Sequence, residues 1–146
     1  MQVSRRADYG IRAMIDIAAL PPNAVVATRE VAERQDIPQV FLTKIVTRLM
    51  RAGLLRTQRG ATGGIILARP AQEINMCEII EAVEGPIAIN HCTRQPSTCK
   101  RDTLCPSRPV WQQIQDDMVR TLMDVRLSDL AGAPGPHELA GPDTSR

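Results

Sequence analysis

The chain has 146 residues, of which 43% are hydrophobic and 23% are charged, and this suits one compact domain with a core of ordinary size. Three aromatic residues are too few for a surface that stacks successive bases of a single strand, so RNA-recognition sheets are excluded. No run approaches the roughly 20 apolar residues of a membrane span, and the first residues lack a secretory signal, so we expect a cytoplasmic protein without membrane contact.

The formal net charge of +2 conceals an asymmetry between the two halves of the chain. Residues 1–69 hold eleven basic and five acidic residues, whereas residues 70–146 have a net charge of −4. No acidic residue lies between Asp36 and Glu73, a stretch that carries six basic residues. An acid-free basic block beside an acidic segment is typical of a polyanion-binding domain joined to a different unit.

Two helices are predicted at the start of the chain. Apolar residues at helical spacing follow Ser4, a good N-cap, and continue to Leu20, where two prolines end the helix. Thr28 and Glu30 then open a short second helix over about 29–34.

A third helix is predicted from Pro38, suited to a first helical position, to Gly53, which supplies a left-handed stop. Its apolar face is predicted to hold Phe41, Leu42, Ile45, Val46, Leu49 and Met50. The opposite face is polar and basic, so helices two and three form a helix-turn-helix pattern.

Two short β-prone runs, 54–58 and 65–68, flank a glycine-rich turn and predict a hairpin. A hairpin directly after a helix-turn-helix indicates a winged helix. A short helix from Met76 to about Val83 completes a predicted DNA-binding domain over residues 1–85. The fold class is therefore mainly α with a small β-hairpin wing.

The rest of the chain is predicted to contain three units. Residues 86–108 form a loop without sustained periodicity, and a structureless loop of that length is usually functional. A long amphipathic helix over about 109–125, within a unit over 109–130, is predicted to form the seam of a homodimer, with packing inside the chain as the alternative. Glycine, proline and polar residues predict a disordered tail over 131–146.

Three of the four cysteines lie within fourteen residues of the loop over 86–108, in the pattern Cys92-x6-Cys99-x5-Cys105 with interleaved basic residues. In a reducing compartment such cysteines more often bind a metal or do redox chemistry than form disulfides. Thiolates bind iron-sulfur clusters or zinc, and a loop lets them converge on one centre. The absence of a CxxC pair argues mildly against zinc.

A centre with three cysteines needs a fourth ligand, and the chain offers Asp8, Cys77 and His91. Cys77 lies at the start of an amphipathic helix, a position more typical of a buried structural thiol. His91 adjoins the first loop cysteine, and neighbouring residues of an extended segment tend to point apart. From the spacing alone, an iron-sulfur cluster, zinc, a thiol redox switch and inert cysteines all remain open.

The order of winged helix, cysteine loop and long helix resembles the iron-sulfur-dependent winged-helix transcription regulators. The resemblance covers about residues 1–130 and is carried by RQDIPQVFLTKIVTRLMRAGLL, RGATGGIILA, MCEIIEAVEG and VWQQIQDDMVRTLMDV. The family includes a repressor of cluster-assembly genes, a nitric-oxide-sensitive repressor and an iron-responsive regulator. The resemblance implies a homodimer with crossed long helices that binds a palindromic double-stranded DNA operator.

The resemblance also implies an iron-sulfur cluster held by Cys92, Cys99 and Cys105. The cluster-assembly regulator has a histidine three residues after its third cysteine, where this chain has Arg108. Nitric-oxide-sensitive members use an aspartate of the first helix that reaches across from the partner subunit, and Asp8 matches it. The match favours a 4Fe-4S cluster, and the spacing of the first two cysteines leaves a 2Fe-2S cluster open.

The resemblance further implies a set of DNA contacts, with the third helix in the major groove and the wing against the minor groove. The residues of this chain at the corresponding positions are Thr28, Arg29, Gln39, Thr43, Lys44, Arg48, Arg51, Arg59 and Gly60. Gln39, Thr43 and Lys44 would face base edges, and the next two arginines of that helix would lie nearer phosphates. The pair at 28 and 29 would clamp a phosphate at a helix N-terminus. Arg59 would enter the minor groove, where narrow A-T tracts concentrate negative potential.

These features predict a dimeric transcription regulator whose DNA affinity is controlled by a cluster that senses nitric oxide, redox state or iron. The alternative is a cluster-free or zinc-bound regulator that senses thiol oxidation or a small metabolite. An enzyme or electron carrier is disfavoured, because it would not need the basic block and no catalytic triad or phosphate-binding loop is present. A cluster ligand on the first helix would make cluster loss move that helix and misplace the paired DNA-binding heads.

Overall fold

The computed structural model describes residues 2–132, which form a mainly helical fold with one two-stranded hairpin. In chain order the elements are α1 (Arg5–Ala18), α2 (Thr28–Gln35), α3 (Gln39–Arg51), β1 (Leu55–Gln58), β2 (Gly64–Leu67), α4 (Met76–Glu84), α5 (Arg108–Asp124) and α6 (Leu127–Ala131). Single 3-10 turns lie at Ala71–Glu73 and His91–Thr93. Among these residues, no helix has both the length and the apolar character needed to cross a bilayer. Of the predicted tail over 131–146, Ala131 closes α6 and residues 133–146 lie outside the described part.

The start and stop signals of the first three helices lie close to their predicted positions. Ser4 caps α1, its hydroxyl accepting a backbone N–H of the first turn at 3.1 Å. α2 begins one residue earlier than predicted, at Thr28, and Pro38 is the N-cap of α3 rather than its first helical residue. Gly53 has a φ of +74°, which confirms the left-handed stop.

The core lies where α1, α3 and α4 pack together. Four of the residues predicted for the inner face of α3 are buried: Leu42, Ile45, Val46 and Leu49. The prediction for Phe41 is wrong, because this side chain is 58% exposed. At 100° per residue Phe41 lies at one edge of the buried stripe and Met50, which is half-buried, lies at the other.

The wing is a hairpin in which Leu55 pairs with Leu67 and Gln58 with Gly64. Val26 extends it as a third short segment, since its N–H and C=O both bond with Ile65, at 3.1 and 2.8 Å. A Cβ atom at Gly64 would lie 2.4 Å from the carbonyl oxygen of Val26. The close approach of two backbones therefore requires glycine at this position.

Substituting Gly64 with alanine is expected to lower the free energy of unfolding by about 1 to 3 kcal/mol, because backbone must shift to admit the methyl group. Urea denaturation measures this change. Gly132→Ala is the matched control, since a Cβ there meets its nearest atom at an ordinary 3.4 Å. Equal denaturation midpoints for both variants would contradict the assignment of Gly64.

The long helix predicted over 109–125 is α5, displaced by one residue at each end. Gln115 is its one buried residue, whereas Val110 and Ile114 are 59% and 43% exposed. α6 was not predicted. Its Leu127 is fully buried, and the Leu127 N–H donates to the carbonyl oxygen of Ile74 at 2.8 Å. The end of the segment 109–130 therefore packs against the core.

Candidate nucleic-acid interface and cysteine loop

The outer face of α3 is polar and exposed. Gln39, Thr43 and Lys44 are all exposed there. The Thr43 hydroxyl donates to the Gln39 carbonyl at 2.9 Å, and its oxygen remains an acceptor. The neighbouring Val40, 70% exposed, is an apolar residue that sequence reasoning missed, because a lone valine gives no periodic signal.

The two arginines of the last turns of α3 differ in their surroundings. Arg48 donates through Nη1 to the carbonyl oxygen of Val83 at 2.9 Å, which joins α3 to the end of α4. Arg51 is exposed. The contact of Arg48 with α4 could not be read from the sequence, because the two residues are 35 positions apart.

The remaining candidates for DNA contact lie in the wing and at the start of α2. Arg59 and Gly60 lie in the exposed turn between β1 and β2. Thr28 is the first residue of α2, and Arg29 follows with its Nε 3.6 Å from a Glu33 carboxylate oxygen. Both side chains of that pair are about 70% exposed (72% and 69%), so water screens the pair and leaves the Arg29 charge accessible.

The cysteine loop runs between α4 and α5 and contains the 3-10 turn at His91–Thr93. Cys92 is buried, Cys99 and Cys105 are half-buried, and all three are free thiols. Among residues 2–132, no three His, Cys, Asp or Glu side chains are gathered closely enough to hold a metal ion. The loop therefore supplies the predicted donors without drawing them together.

The candidate fourth ligands have different surroundings. Asp8 lies in the first turn of α1 with a 54% exposed side chain, 3.4 Å from Arg12 Nη1. His91 is exposed, with Nδ1 3.4 Å from the Thr98 hydroxyl. Cys77 is 5% exposed and burial raises the pKa of its thiol, which confirms the interpretation as a buried thiol.

Arg108 provides a test of whether the loop suits an anionic metal group. Its Nε is buried and has no hydrogen-bond partner within residues 2–132. Buried donors are normally paired, so an orphaned N–H on the residue that ends the cysteine loop fits an anionic partner there. The donor set of Cys92, Cys99 and Cys105 therefore fits a thiolate-ligated iron-sulfur cluster.

Cys105 lies just before the N-terminus of α5. The Ser107 hydroxyl, 3.1 Å from its Sγ, lowers the pKa of the Cys105 thiol. The backbone N–H groups of Ser107 and Arg108 and the charge of Arg101 act in the same direction. The half-buried Cys105 thiol, with its lowered pKa, therefore differs from the buried Cys77 thiol, whose pKa is raised.

Ser107→Ala is expected to shift the pH profile of Cys105 alkylation upward in the metal-free protein. A lowered pKa means that the thiolate persists to lower pH, so removing the hydroxyl that stabilises it makes the thiolate form only at higher pH. Iodoacetamide labelling followed by peptide mass spectrometry, from pH 6 to 9, measures the profile. The Cys77 profile serves as the internal reference, and an unmoved Cys105 profile would exclude the Ser107 contact.

The comparisons with known proteins agree with this architecture. The family profile of Rrf2, described as an iron-dependent transcriptional regulator, matches residues 3–133. The HTH-type transcriptional regulator IscR of Cereibacter sphaeroides is 34% identical over 134 residues, 89% of this chain and 86% of that protein.

Two solved structures have closely similar folds. CymR, the global cysteine regulator of B. subtilis, has a TM-score of 0.75 and 26% identity, over 92% of this chain and 99% of that one. IscR of T. potens has a TM-score of 0.74 and 26% identity, over 95% and 96%. The winged helix, the cysteine loop and the length of the profile match lead to one conclusion: the chain belongs to the Rrf2 family of iron-dependent transcriptional regulators.

Proposed function

We propose that this DNA-binding transcription regulator acts as a homodimer whose DNA affinity is set by an iron-sulfur cluster on the cysteine loop. The observation that carries the proposal is the set of three free thiols on one loop, which ends at Arg108, whose buried Nε has no hydrogen-bond partner among residues 2–132. Soft thiolates are the preferred protein ligands of iron-sulfur clusters. The cluster would supply reactivity toward nitric oxide, redox state or iron.

The proposed DNA contacts lie on α2, α3 and the wing. Gln39, Thr43 and Lys44 have the exposure needed to reach base edges in a major groove. Arg51 and the pair Thr28 and Arg29 are assigned to phosphates, with Arg59 and Gly60 at the minor groove. Arg48 combines a proposed phosphate contact with its bond to α4, since guanidinium has five N–H donors.

The proposed dimer seam is the exposed apolar side of α5. Val110 is 59% exposed and Ile114 43%, and because they are four residues apart they lie on the same face of α5. Large apolar side chains concentrated on one helix are costly to leave in water, and a second copy of the same helix covers them. Paired heads would then match the two half-sites of a palindromic operator.

The proposed ligands are Cys92, Cys99 and Cys105, with Asp8 of the partner subunit as the fourth. The exposed carboxylate of Asp8 is compatible with ligation from a second chain. If Asp8 supplies the fourth ligand, no histidine is needed at position 108, where this chain has an arginine. The match of Asp8 favours a 4Fe-4S cluster, with a 2Fe-2S cluster as the alternative nuclearity.

The end of α4 offers a route from the cysteine loop to the DNA-binding helices. Glu84 accepts a hydrogen bond from the Ser4 hydroxyl and lies 3.9 Å from Arg6 Nε, both near the start of α1. The Val83 carbonyl accepts from Arg48 of α3 at 2.9 Å. Because the loop follows α4 directly, rearrangement of the loop would reach α1 and α3 through this junction.

Asp8→Ala is expected to make cluster loss about 10- to 100-fold faster and to change the DNA affinity of the protein as purified, because one proposed cluster ligand is removed. The rate of cluster loss is measured as the decay of the visible absorbance in oxygen-free buffer that contains a chelator. Glu73→Ala is the control for loss of an exposed carboxylate elsewhere on the chain. Cluster stability and DNA affinity both equal to wild type would remove Asp8 from the proposal.

Iron and acid-labile sulfide per chain, with the visible spectrum, test the cluster on protein purified without oxygen. We expect the amounts of iron and sulfide to be near those of one cluster per chain. Zinc, or no metal even after reconstitution, would refute the cluster.

The alternative is a regulator that senses thiol oxidation or a small metabolite without a cluster. It is favoured by the separation of the three thiols and by the likeness to CymR, the global cysteine regulator of B. subtilis. Under this alternative, mild oxidation of the metal-free protein would change its DNA affinity, and Cys105→Ser would abolish that change.

A further inference from the structure

The described part of α5 buries a single residue, and that residue is polar. Gln115 is 8% exposed and bridges two backbone groups of the cysteine loop. Its Oε1 accepts the N–H of Ile89 at 3.1 Å, and its Nε2 donates to the carbonyl of Thr93 at 3.2 Å. One side chain therefore holds both ends of the segment 89–93 against α5.

The segment 89–93 is also tied internally. Thr93 is 1% exposed, and its hydroxyl donates to the Asn90 carbonyl at 3.0 Å and accepts the Asn90 N–H at 3.2 Å. Cys92, 6% exposed, lies inside this closed turn. The backbone on both sides of Cys92 is thus held by hydrogen bonds, from Gln115 to Ile89 and Thr93 and between Asn90 and Thr93.

We propose that Gln115 is the positioning residue for Cys92. It fixes the orientation in which this first loop thiol meets a metal centre, and it ties that thiol to α5. The role of Gln115 in metal ligation by Cys92 rests on the function proposed above. Its role in holding the backbone around Cys92 does not. The Gln115 amide is suited to the role because it carries both a donor group and an acceptor group, which match the two backbone groups.

The fixing of Cys92 is tested on the reduced, metal-free protein by the rate of iodoacetamide alkylation of each cysteine, resolved by peptide mass spectrometry. Gln115→Leu keeps a similar volume but leaves the Ile89 N–H and the Thr93 carbonyl unpaired. We expect Cys92 alkylation to be faster than in wild type by about tenfold or more, because local opening becomes easier. Cys77 is the internal reference, with an expected change of less than about twofold.

Two further variants separate this role from general destabilisation. Gln113→Leu is the matched control, because Gln113 is exposed on the same helix and bonds with Asp117; it is expected to leave Cys92 at the wild-type rate. Gln115→Glu keeps an acceptor for the Ile89 N–H, but an ionised carboxylate cannot donate to the Thr93 carbonyl and is costly to bury, so its Cys92 rate should also exceed that of wild type. If Gln115→Leu does not fold, the comparison of Gln115→Glu with wild type carries the test.

The ligation part is tested by reconstituting wild type and Gln115→Leu side by side. We expect the variant to bind less iron and sulfide per chain and to show an altered visible spectrum. Wild-type rates of Cys92 alkylation in the folded Gln115 variants would overturn the fixing. Unaltered iron, sulfide and spectrum in Gln115→Leu would overturn the ligation part alone, and a wild-type protein that takes up no iron would overturn the proposed function while leaving the fixing to be judged by alkylation.

Discussion

Replacing Cys99 with serine is expected to reduce iron and acid-labile sulfide to roughly a tenth of the wild-type content or less. A serine oxygen is a hard donor with a high pKa, so it is a poor substitute for a thiolate. Cys99 is half-buried on the loop and makes no disulfide, so the fold should tolerate the change. The measurement is iron and sulfide per chain after oxygen-free reconstitution.

Cys77→Ser is the matched control for loss of a thiol. Cys77 lies in α4 at 5% exposure, and burial raises the pKa of its thiol. We expect this variant to retain wild-type iron while losing some stability, because a hydroxyl replaces a buried thiol. Equal iron contents in Cys99→Ser and Cys77→Ser would remove the loop from the proposed cluster site.

The double substitution Gln39→Ala and Thr43→Ala is expected to weaken specific DNA binding by about 100-fold. Each base contact is worth about 1 to 3 kcal/mol, which corresponds to roughly 5- to 150-fold in affinity. Neither residue carries charge, so the dependence of affinity on salt should keep its slope. Fluorescence anisotropy with a fragment selected from a random-sequence pool by the wild-type protein measures both quantities.

Arg51→Ala and Gln113→Ala are the comparison variants. Arg51 is assigned to a phosphate, so its loss should lower the salt slope by about one, which the double variant does not do. Gln113 is exposed on α5, outside the proposed surface, and its substitution should leave affinity unchanged. Wild-type affinity in the Gln39 and Thr43 double variant would contradict the assignment of α3 as the recognition helix.

Local signals were enough to predict most of the fold. A capping serine, a left-handed glycine and apolar spacing fix α1 and α3 to within a residue or two, because these are short-range effects. α6 was missed because five residues give too little periodicity, and its Leu127 packs and bonds next to Ile74, which is more than 50 positions away in the chain. Phe41 was misjudged because the edge of an apolar stripe is set by which neighbours cover it.

The sequence predicted only part of the candidate site. Residue type and order pointed to the loop cysteines and the basic face of α3. The bond of Arg48 to Val83 and the bridge made by Gln115 join residues that are distant in the chain. Nothing in the sequence distinguishes Gln115 from Gln112 or Gln113, since only packing decides which of the three is buried.

The most direct test of the central claim is the affinity of one selected DNA fragment for the same protein sample before and after removal of the cluster, measured without oxygen by fluorescence anisotropy. If the cysteine loop controls the DNA-binding heads, the two affinities should differ by about 5- to 150-fold, the usual range of coupling between two sites. Identical affinities for cluster-loaded and cluster-free protein would contradict the claim that the cluster sets DNA binding.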